Sequence, residues 1–457
     1  MTKFSMLRAA CRGAVALMVV WAAGGAHAQN GGPATAARAA PAPLSRDAER
    51  AYETTRDKLV QIRTLLRNAN TQAGVGSGFF VGTSGLIITN FHVAGQLALE
   101  PERYRGVYVA VDGKEGDVEL LAFDVRNDLA LLRIKAPAAT TTAKAAEPVV
   151  PVLTFRAADK PLARGERVYS LGNPLDIGFA VTEGTYNGLV QRSFYPRIFF
   201  GGALNPGMSG GPAIDTAGEV IGVNVSKRRD GELVSFLIPA EFARALLARS
   251  ASAKPITTPA YAEVARQLGE HQALMTDKFT ATALTQQKHG GYSVPVPADS
   301  LARCWGRGRE PEFKAFNLES SNCQVDSQVF AGDFDTGFIR LRYEAYDAPK
   351  FTTLQFSSLL SRSFANEYFP SRGNRKATAA ECSERFLDTG GLTMRAVICV
   401  SAYRKLTGLY DVSVLTMSVD QPLGAVQGRL DAQGVSFDNG MKLVNHYLSH
   451  FKWEAAP

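Results

Sequence analysis

Between residues 59 and 238 the sequence is a succession of short apolar runs separated by Gly, Asp and Asn, and this pattern constrains the fold most. The runs have the length of β-strands, and no helical spacing separates them, which is typical of an antiparallel sandwich or barrel. They are Gly78–Val81, Leu86–Thr89, Val107–Val111, Val118–Phe123, Leu129–Ile134, Val168–Leu171, Gly188–Gln191 and Val220–Val225. Arg46–Arg56 and Pro239–Arg249 have helical patterns, and Leu59–Leu65 alternates as a strand does.

Three local motifs place a histidine, an aspartate and a serine in that order, each where an apolar run meets a loop. The histidine is His92 and the aspartate is Asp128, while Ser209 lies between Gly207 and Gly210. A serine hydroxyl is a poor nucleophile at neutral pH and needs a base, which a carboxylate-oriented imidazole supplies. His92 is the only histidine between residues 28 and 270, so no other imidazole could serve this region. The glycines allow a tight turn, in which the amides of Gly207 and Ser209 would converge on an oxyanion.

The motifs resemble those of the trypsin-like serine peptidases, and within them the HtrA/Deg branch. The strings are TNFHV at 89–93, DLALL at 128–132 and NPGMSGGP at 205–212, and the resemblance covers about 58–240. It implies an all-β two-barrel domain and a serine endopeptidase that cleaves polypeptides through an acyl-enzyme. The catalytic residues implied are His92, Asp128 and Ser209, with an oxyanion hole made by the amides of Gly207 and Ser209 and with no metal or organic cofactor. Met208 stands where the branch commonly has Asn.

The same resemblance places the primary specificity pocket. Ala203, six residues before the nucleophile, would line its floor, and Asn224, Val225, Ser226 and Val234 would form its walls. An uncharged, narrow pocket favours small or medium aliphatic residues at the cleaved position over Lys or Arg. The alternative is that loop conformation overrides these positions.

The N-terminus has the composition of an export signal. Lys3, Arg8 and Arg12 precede the apolar run 13–23, and Ala26-His27-Ala28 fits a cleavage site, so 1–28 is predicted to be a signal peptide. The alternative is an uncleaved anchor. Cleavage would leave a protein that is periplasmic or secreted and not inserted in the membrane, with a flexible linker at 29–45. It would also reduce the formal charge from +7 to +4, which argues against a nucleic-acid partner.

The composition changes after the predicted peptidase domain, 46–249. A linker is predicted at 250–262 and a smaller α+β domain at 263–457. In this part Phe338–Tyr346 alternates, Thr393–Leu406 and Leu409–Val419 are predicted to form a hairpin, and Asp438–Trp453 has helical spacing after an Asp438-Asn439 start. It contains no motif for a PDZ domain, which HtrA/Deg proteins usually carry, so activation of the PDZ type is not expected.

Four cysteines remain after signal cleavage, namely Cys304, Cys323, Cys382 and Cys399. An even number in an exported chain favours disulfides, and we expect the nearest-neighbour pairs Cys304–Cys323 and Cys382–Cys399. A zinc site is the alternative, but no two of the cysteines have the short spacing of zinc ligands.

Three other segments have simple interpretations. Lys227–Gly231 is predicted to be a hairpin tip, and Arg303–Arg309 (RCWGRGR) is predicted to be a cationic loop beside a disulfide, with contact to an anion as the alternative. His446 and His450 are four residues apart on a predicted helix. We expect a surface or packing role for them because no carboxylate ligand is evident nearby.

The sequence therefore favours an exported serine endopeptidase that acts on unfolded or partner polypeptides. Two alternatives stay open. One is a peptidase fold kept as a binding or regulatory scaffold, and the other is a processing protease dedicated to one partner that the C-terminal domain recognises.

Overall fold

The computed structural model describes residues 45–82, 85–135, 150–191, 193–227, 233–289, 291–308, 316–325, 327, 329–331, 334–365, 369 and 373–453. The predicted signal peptide, the predicted linker up to residue 44, and residues 228–231 of the predicted hairpin tip lie outside this set. Leu44–Pro457 is one compact unit. The boundaries predicted at 249 and 263 therefore stay predictions.

Two closed six-stranded antiparallel barrels account for the region of short apolar runs, as the sequence predicts. The first consists of β1 (Leu59–Leu66), β2 (Gln72–Val81), β3 (Leu86–Thr89), β4 (Tyr104–Ala110), β5 (Glu115–Asp124) and β6 (Leu129–Ile134). The second consists of β7 (Arg167–Gly172), β8 (Ala180–Leu189), β9 (Ile198–Phe200), β10 (Pro212–Ile214), β11 (Val220–Lys227) and β12 (Ser235–Pro239). Closure pairs β1 with β4 in the first barrel and β7 with β10 in the second, so neither barrel has a free edge.

Three helices accompany the barrels: α1 (Arg46–Thr55), α2 (Phe91–Leu99) and α3 (Ala240–Ser250). Helices α1 and α3 were expected, whereas the expectation of no helix among the strands is wrong at α2. Its sequence, FHVAGQLAL, is apolar on almost every side, and seven of its nine residues are buried. A helix buried all round has no amphipathic period, so its pattern cannot be distinguished from that of a buried strand.

A hydrophobic cluster lies between the barrels and includes Phe79 and Leu131 from the first and Tyr169, Ile214 and Ile238 from the second. Each of these side chains is fully buried. Burial of a large apolar side chain contributes about 1.5–3 kcal/mol, so the cluster holds the barrels at a fixed relative position. The facing ends of the barrels are thereby held together.

A 21-residue helix, α4 (Tyr261–Ala281), follows the barrels and was not expected from the sequence. It begins inside the predicted linker, and its residues Val264 and Leu268 belong to the same hydrophobic cluster as Phe91 of α2 and Phe123 of β5. Other residues of α4, Met275 and Phe279 among them, pack into the core of the C-terminal part. The N-terminal part of the helix therefore packs against the first barrel and α2, and its C-terminal part packs into the core of the C-terminal part of the chain.

The rest of the chain forms a seven-stranded antiparallel sheet with smaller sheets and two helices, an α+β arrangement as expected. The large sheet has the order β15-β16-β19-β23-β22-β21-β20. Its strands are β15 (Arg303–Gly308), β16 (Asn317–Val325), β19 (Ile339–Asp347), β20 (Glu381–Thr389), β21 (Leu392–Ala402), β22 (Tyr410–Ser418) and β23 (Gly424–Val435). The small sheets consist of β13 (Leu284–His289), β14 (Tyr292–Pro297) and β24 (Lys452–Trp453), and of β17 (Val329–Ala331) and β18 (Phe334–Thr336). The helices are α5 (Thr353–Ser363) and α6 (Phe437–Leu448).

The structure differs from three expectations for the C-terminal part, two in their bounds and one in its kind of structure. The predicted hairpin is formed by β21 and β22, which pair between Ala402 and Tyr410, with a longer turn than the sequence indicates. The last helix ends at Leu448 rather than near Trp453, and Ser436 caps it by accepting a hydrogen bond from the Asn439 amide. The expectation of a cationic loop at Arg303–Arg309 is wrong, because these residues up to Gly308 pair with β16 as a strand.

The four cysteines are joined as Cys304–Cys323 and Cys382–Cys399. Each disulfide links two neighbouring strands, β15 to β16 and β20 to β21, at residues that lie opposite each other in the register. Both edges of the large sheet are thus bonded covalently to the next strand. Within the described residues, no helix is long and apolar enough to cross a membrane.

Candidate active site

His92 and Asp128 meet at one end of the first barrel. His92 is the second residue of α2, directly after β3, and Asp128 ends the turn between β5 and β6. One oxygen of the Asp128 carboxylate accepts a hydrogen bond from the His92 backbone amide at 2.8 Å. The other lies 2.7 Å from His92 Nδ1. The carboxylate therefore fixes both the start of the helix and the orientation of the ring, and it leaves Nε2 available to act as a base.

The environment of His92 favours its charged form. Burial lowers the pKa of His92, but attraction to the Asp128 carboxylate and the hydrogen bond with it together raise the pKa above 6.5. The Asn90 side chain donates a hydrogen bond to the Asp128 carbonyl at 2.8 Å and so holds the turn that carries the carboxylate. Asp128 has a φ of +57°, a strained left-handed conformation for a residue other than glycine.

Ser209 lies in the loop between β9 and β10, and this loop is pressed against the first barrel. The Ser77 amide donates to the Ser209 carbonyl at 2.7 Å. Gly210 has a φ of +85°, and a Cβ there would lie 2.2 Å from the Ser77 carbonyl oxygen and 2.9 Å from the Asn90 nitrogen. Only glycine permits this approach, which places the serine beside the residues that lead into His92.

The Ser209 hydroxyl donates to the Val225 carbonyl oxygen at 3.3 Å and is not hydrogen-bonded to the His92 ring. A bond of 3.3 Å is long for O–H···O, so this position of the hydroxyl is held weakly.

The Gly207 and Ser209 amides are the pair that the sequence predicts to form an oxyanion hole. Within the part of the chain that the structure describes, neither amide donates a hydrogen bond. The amide between them, that of Met208, is bonded to the Asn205 carbonyl at 3.0 Å, and the Met208 side chain is fully buried in the second barrel. Methionine therefore acts here as a hydrophobic anchor for the loop and does not enter the site.

Ser77, to which the sequence alone assigns no role, holds the loop that carries Gly207 by two hydrogen bonds. Its hydroxyl donates to the Gly207 carbonyl at 2.7 Å and accepts from the Asn173 amide at 2.9 Å. Ser77 is almost fully buried, so these bonds are shielded from water. It lies in the GSGFF string at 76–80, but a serine between two glycines in a strand does not reveal a partner 130 residues away.

Comparison with known proteins agrees with this geometry. Residues 76–223 match the family model described as the trypsin-like peptidase domain. The chain is 34% identical over 186 residues to "Serine protease HTRA1" of Xenopus tropicalis, covering 39% of this chain and 36% of the relative. It is 32% identical over 183 residues to "Probable periplasmic serine endoprotease DegP-like" of Marinomonas sp. (strain MWYL1), covering 38% and 35%. Residues 76–223 are a trypsin-like peptidase domain, similar in sequence to those of the HtrA-type and DegP-like proteases.

The similarity to known proteins covers only part of the chain. The chain spans half or less of the length of these curated relatives. Among solved structures, the serine endoprotease from Yersinia pestis is similar with a TM-score of 0.37 and 23% identity, covering 46% of this chain and 67% of that one. The C-terminal sheet lies outside the residues matched by the family model.

The residues expected to form the specificity pocket differ in burial and in the hydrogen bonds they make. Ala203 and Val234 are half-buried, Ser226 continues β11, and the Val225 carbonyl accepts the Ser209 hydroxyl. Asn224 is fully buried. Its side chain accepts from the Ser170 hydroxyl and donates to the carbonyls of Leu171 and Met208, so it supports the nucleophile loop from behind.

The two acidic residues nearest these segments already have partners. Asp176 accepts hydrogen bonds from the Gln61 side chain at 2.6 Å and from Arg63 at 3.4 Å. Glu183 pairs with Arg167 and accepts from the Ser45 amide at 3.2 Å. Each carboxylate is thus engaged by an arginine and by a second donor.

Helix α4 supports the chain segment that leads into Asp128. The Gln267 side chain accepts from the Val125 amide at 2.8 Å and donates to the Phe123 carbonyl at 3.2 Å. One turn further along, Glu270 pairs with Arg126 at 3.3 Å. These contacts hold the main chain on both sides of Asp124, four residues before Asp128.

The segment before β9 is held by the same helix. Tyr195 Oη lies 2.7 Å from His271 Nδ1, and the Lys278 ammonium lies 4.6 Å from the centre of the Phe194 ring. Burial lowers the pKa of His271 to about 4, so this imidazole is neutral at physiological pH. Burial also lowers the pKa of Arg197, against the opposing effect of the Asp128 carboxylate.

His446 and His450 lie together near the end of α6, with ring centroids 4.8 Å apart. His450 Nδ1 is bonded to the His446 carbonyl, and the His446 ring packs on Phe279. Among the described residues, no group of three or more His, Cys, Asp or Glu side chains has the arrangement of a metal site.

Proposed function

We propose that the chain is an exported serine endopeptidase that hydrolyses polypeptides through an acyl-enzyme. The observation that carries this proposal is the pairing of an imidazole fixed by the Asp128 carboxylate with two unused amides, those of Gly207 and Ser209. A structural histidine would not need its ring and its backbone amide bonded by the same carboxylate. Both amides belong to half-buried residues and have no acceptor among the described residues, so they are available to a ligand.

The reaction begins when the Ser209 hydroxyl turns from the Val225 carbonyl to His92 Nε2. His92 takes the proton as the Ser209 oxygen attacks the peptide carbonyl carbon, and the Asp128 carboxylate stabilises the imidazolium that forms. The negative oxygen of the tetrahedral intermediate accepts hydrogen bonds from the Gly207 and Ser209 amides. His92 then protonates the leaving amine, and a water molecule, deprotonated by the same imidazole, releases the acyl group.

The substrates proposed are unfolded or partner polypeptides cleaved after small or medium aliphatic residues. Ala203 offers no charge at the expected pocket floor, and the nearby carboxylates of Asp176 and Glu183 are already paired. An ammonium or guanidinium group buried there would lose its hydration without gaining a partner, which costs several kcal/mol. Export to the periplasm or beyond is supported by the name of the DegP-like relative and by the two disulfides.

The alternative of a scaffold without turnover has one observation in its favour, since the Ser209 hydroxyl is bonded to Val225 rather than to His92. Comparing the cleavage of casein by the mature protein and by Ser209→Ala distinguishes a peptidase from a scaffold without turnover. We expect the variant to lose activity by several orders of magnitude while its circular dichroism is unchanged. Ser449→Ala, at an exposed serine after α6, is the control and should keep full activity. Equal cleavage by Ser209→Ala would refute the assignment of the nucleophile.

A further inference from the structure

The large C-terminal sheet has an outward face with an unusual concentration of arginine. Alternation along the strands places Trp305 and Arg307 of β15, Arg340 and Arg342 of β19, and Arg429 of β23 on the same face. These side chains line a cleft of about 750 Å³. The opposite face carries the core, including the fully buried Leu341 and Leu430.

The cleft runs across four neighbouring strands. In the register of the sheet, Trp305 lies opposite Asn322, Asn322 opposite Arg342, and Arg342 opposite Arg429. Strands are about 4.8 Å apart, so this row extends for roughly 15 Å. A ligand that contacts the whole row must therefore be longer than a single small anion.

Among the described residues that line the cleft, the four arginines outnumber the single carboxylate, that of Asp431. Arg429 pairs with Asp431 at 3.0 Å, and Arg342 is bonded to Glu344. Within the described residues, neither Arg307 nor Arg340 takes part in a salt bridge. Like charges collected on one surface repel one another unless an anion comes between them.

We propose that this cleft binds an acidic segment of a polypeptide substrate and so acts as a second substrate-binding site, outside the peptidase domain. The guanidinium fork matches a carboxylate with two parallel hydrogen bonds. Successive carboxylates on an extended segment would meet Arg307 and Arg340 in turn. Trp305, 56% exposed, offers an apolar surface for the residues between them. The proposal rests on the proposed function only in taking a polypeptide as the ligand.

Binding is measured with the mature Ser209→Ala protein, so that the result does not depend on catalysis. The probe is a fluorescein-labelled peptide rich in Glu, read by anisotropy, and the same peptide with Gln in place of Glu is the comparison. We expect tighter binding of the Glu peptide, a loss of roughly tenfold in Arg307→Gln/Arg340→Gln, and weaker binding at high salt. Trp305 fluorescence, read against Trp305→Phe, should change on binding.

The matched control removes two other exposed cations of the same part, Arg385 on β20 and Lys442 on α6. Arg385→Gln/Lys442→Gln should bind the Glu peptide as well as the parent does. Equal affinity for the Glu and Gln peptides, or an equal loss in both double variants, would overturn the proposal. Displacement of the peptide by inorganic phosphate at constant ionic strength would also overturn it, because the cleft would then be a phosphate site.

A second arm separates this proposal from the proposed function. Two peptides with the same cleavable sequence, one with a Glu-rich tail and one with a Gln-rich tail, are given to the protein with Ser209 intact. The Arg307→Gln/Arg340→Gln variant should raise KM for the Glu-tailed peptide alone and leave kcat unchanged. If neither peptide is cleaved by the parent protein, the proposed function fails while the binding result stands.

Discussion

Replacement of Gln267 by Ala tests whether α4 is part of the catalytic apparatus. The change removes the acceptor of the Val125 amide, which belongs to a residue only 1% exposed, and the donor to the Phe123 carbonyl. A buried donor left without a partner costs about 1–3 kcal/mol. The freed turn carries Asp128, so we expect the unfolding free energy to fall by that amount and kcat/KM to fall about tenfold. That loss is far smaller than the ~10⁴-fold loss typical when a triad carboxylate itself is replaced.

Gln272 provides a matched control on the same helix. It is 5% exposed, close to the 6% of Gln267, and its side chain accepts from the Ser436 amide and from the Asn439 side chain, both at the start of α6. Gln272→Ala should therefore lose similar stability without losing activity. Urea unfolding followed by circular dichroism gives the free energies, and peptide hydrolysis well below both melting temperatures gives kcat and KM. Equal activities for the two variants would refute the link between α4 and the aspartate turn.

The remaining predictions concern the peptidase domain itself. Ser77→Ala should lower kcat by up to about 100-fold with little change in KM, because the Gly207 carbonyl loses the hydrogen bond that holds the loop with the Gly207 and Ser209 amides; an unchanged kcat in steady-state assays would remove Ser77 from the site. The kcat/KM profile should rise with pH with a midpoint above 6.5, since the base must be neutral and Asp128 raises the pKa of His92, and Asp128→Asn should move that midpoint down. In a peptide library read by mass spectrometry, cleavage after Val, Ala or Ile should exceed cleavage after Lys or Arg by more than roughly tenfold; dominant cleavage after Lys or Arg would show that Ala203 does not form the pocket floor.

The sequence predicts those parts of the fold whose signal is local. Short apolar runs predict an antiparallel sandwich or barrel, and the resemblance of the motifs implies the two barrels that are found. Strand alternation predicts β19 and the β21–β22 hairpin. The order of His92, Asp128 and Ser209, together with the neighbouring glycines, is enough to propose a site. These features depend on spacing along the chain, which the sequence contains directly.

The features of the structure that the sequence does not predict depend on contacts between residues far apart in the chain. Helix α2 is not predicted because it is buried on nearly all sides, so its sequence has no amphipathic period. Ser77 contacts a residue 130 positions away, and Gln267 contacts one 142 positions away. Hydrogen bonds of this kind leave no periodic pattern in the sequence. Helix α4 does have apolar residues at helical spacing, Val264 and Leu268 among them, and this signal could have been found.

The central claim is that His92 activates Ser209 as a nucleophile, and a fluorophosphonate reagent tests it most directly. The mature protein is treated with the reagent, digested and mapped by mass spectrometry. The account predicts one adduct, on the peptide containing Ser209, and none in His92→Ala, in which the general base is missing. A folded protein that gives no adduct, or equal labelling of Ser209 with and without His92, would contradict it.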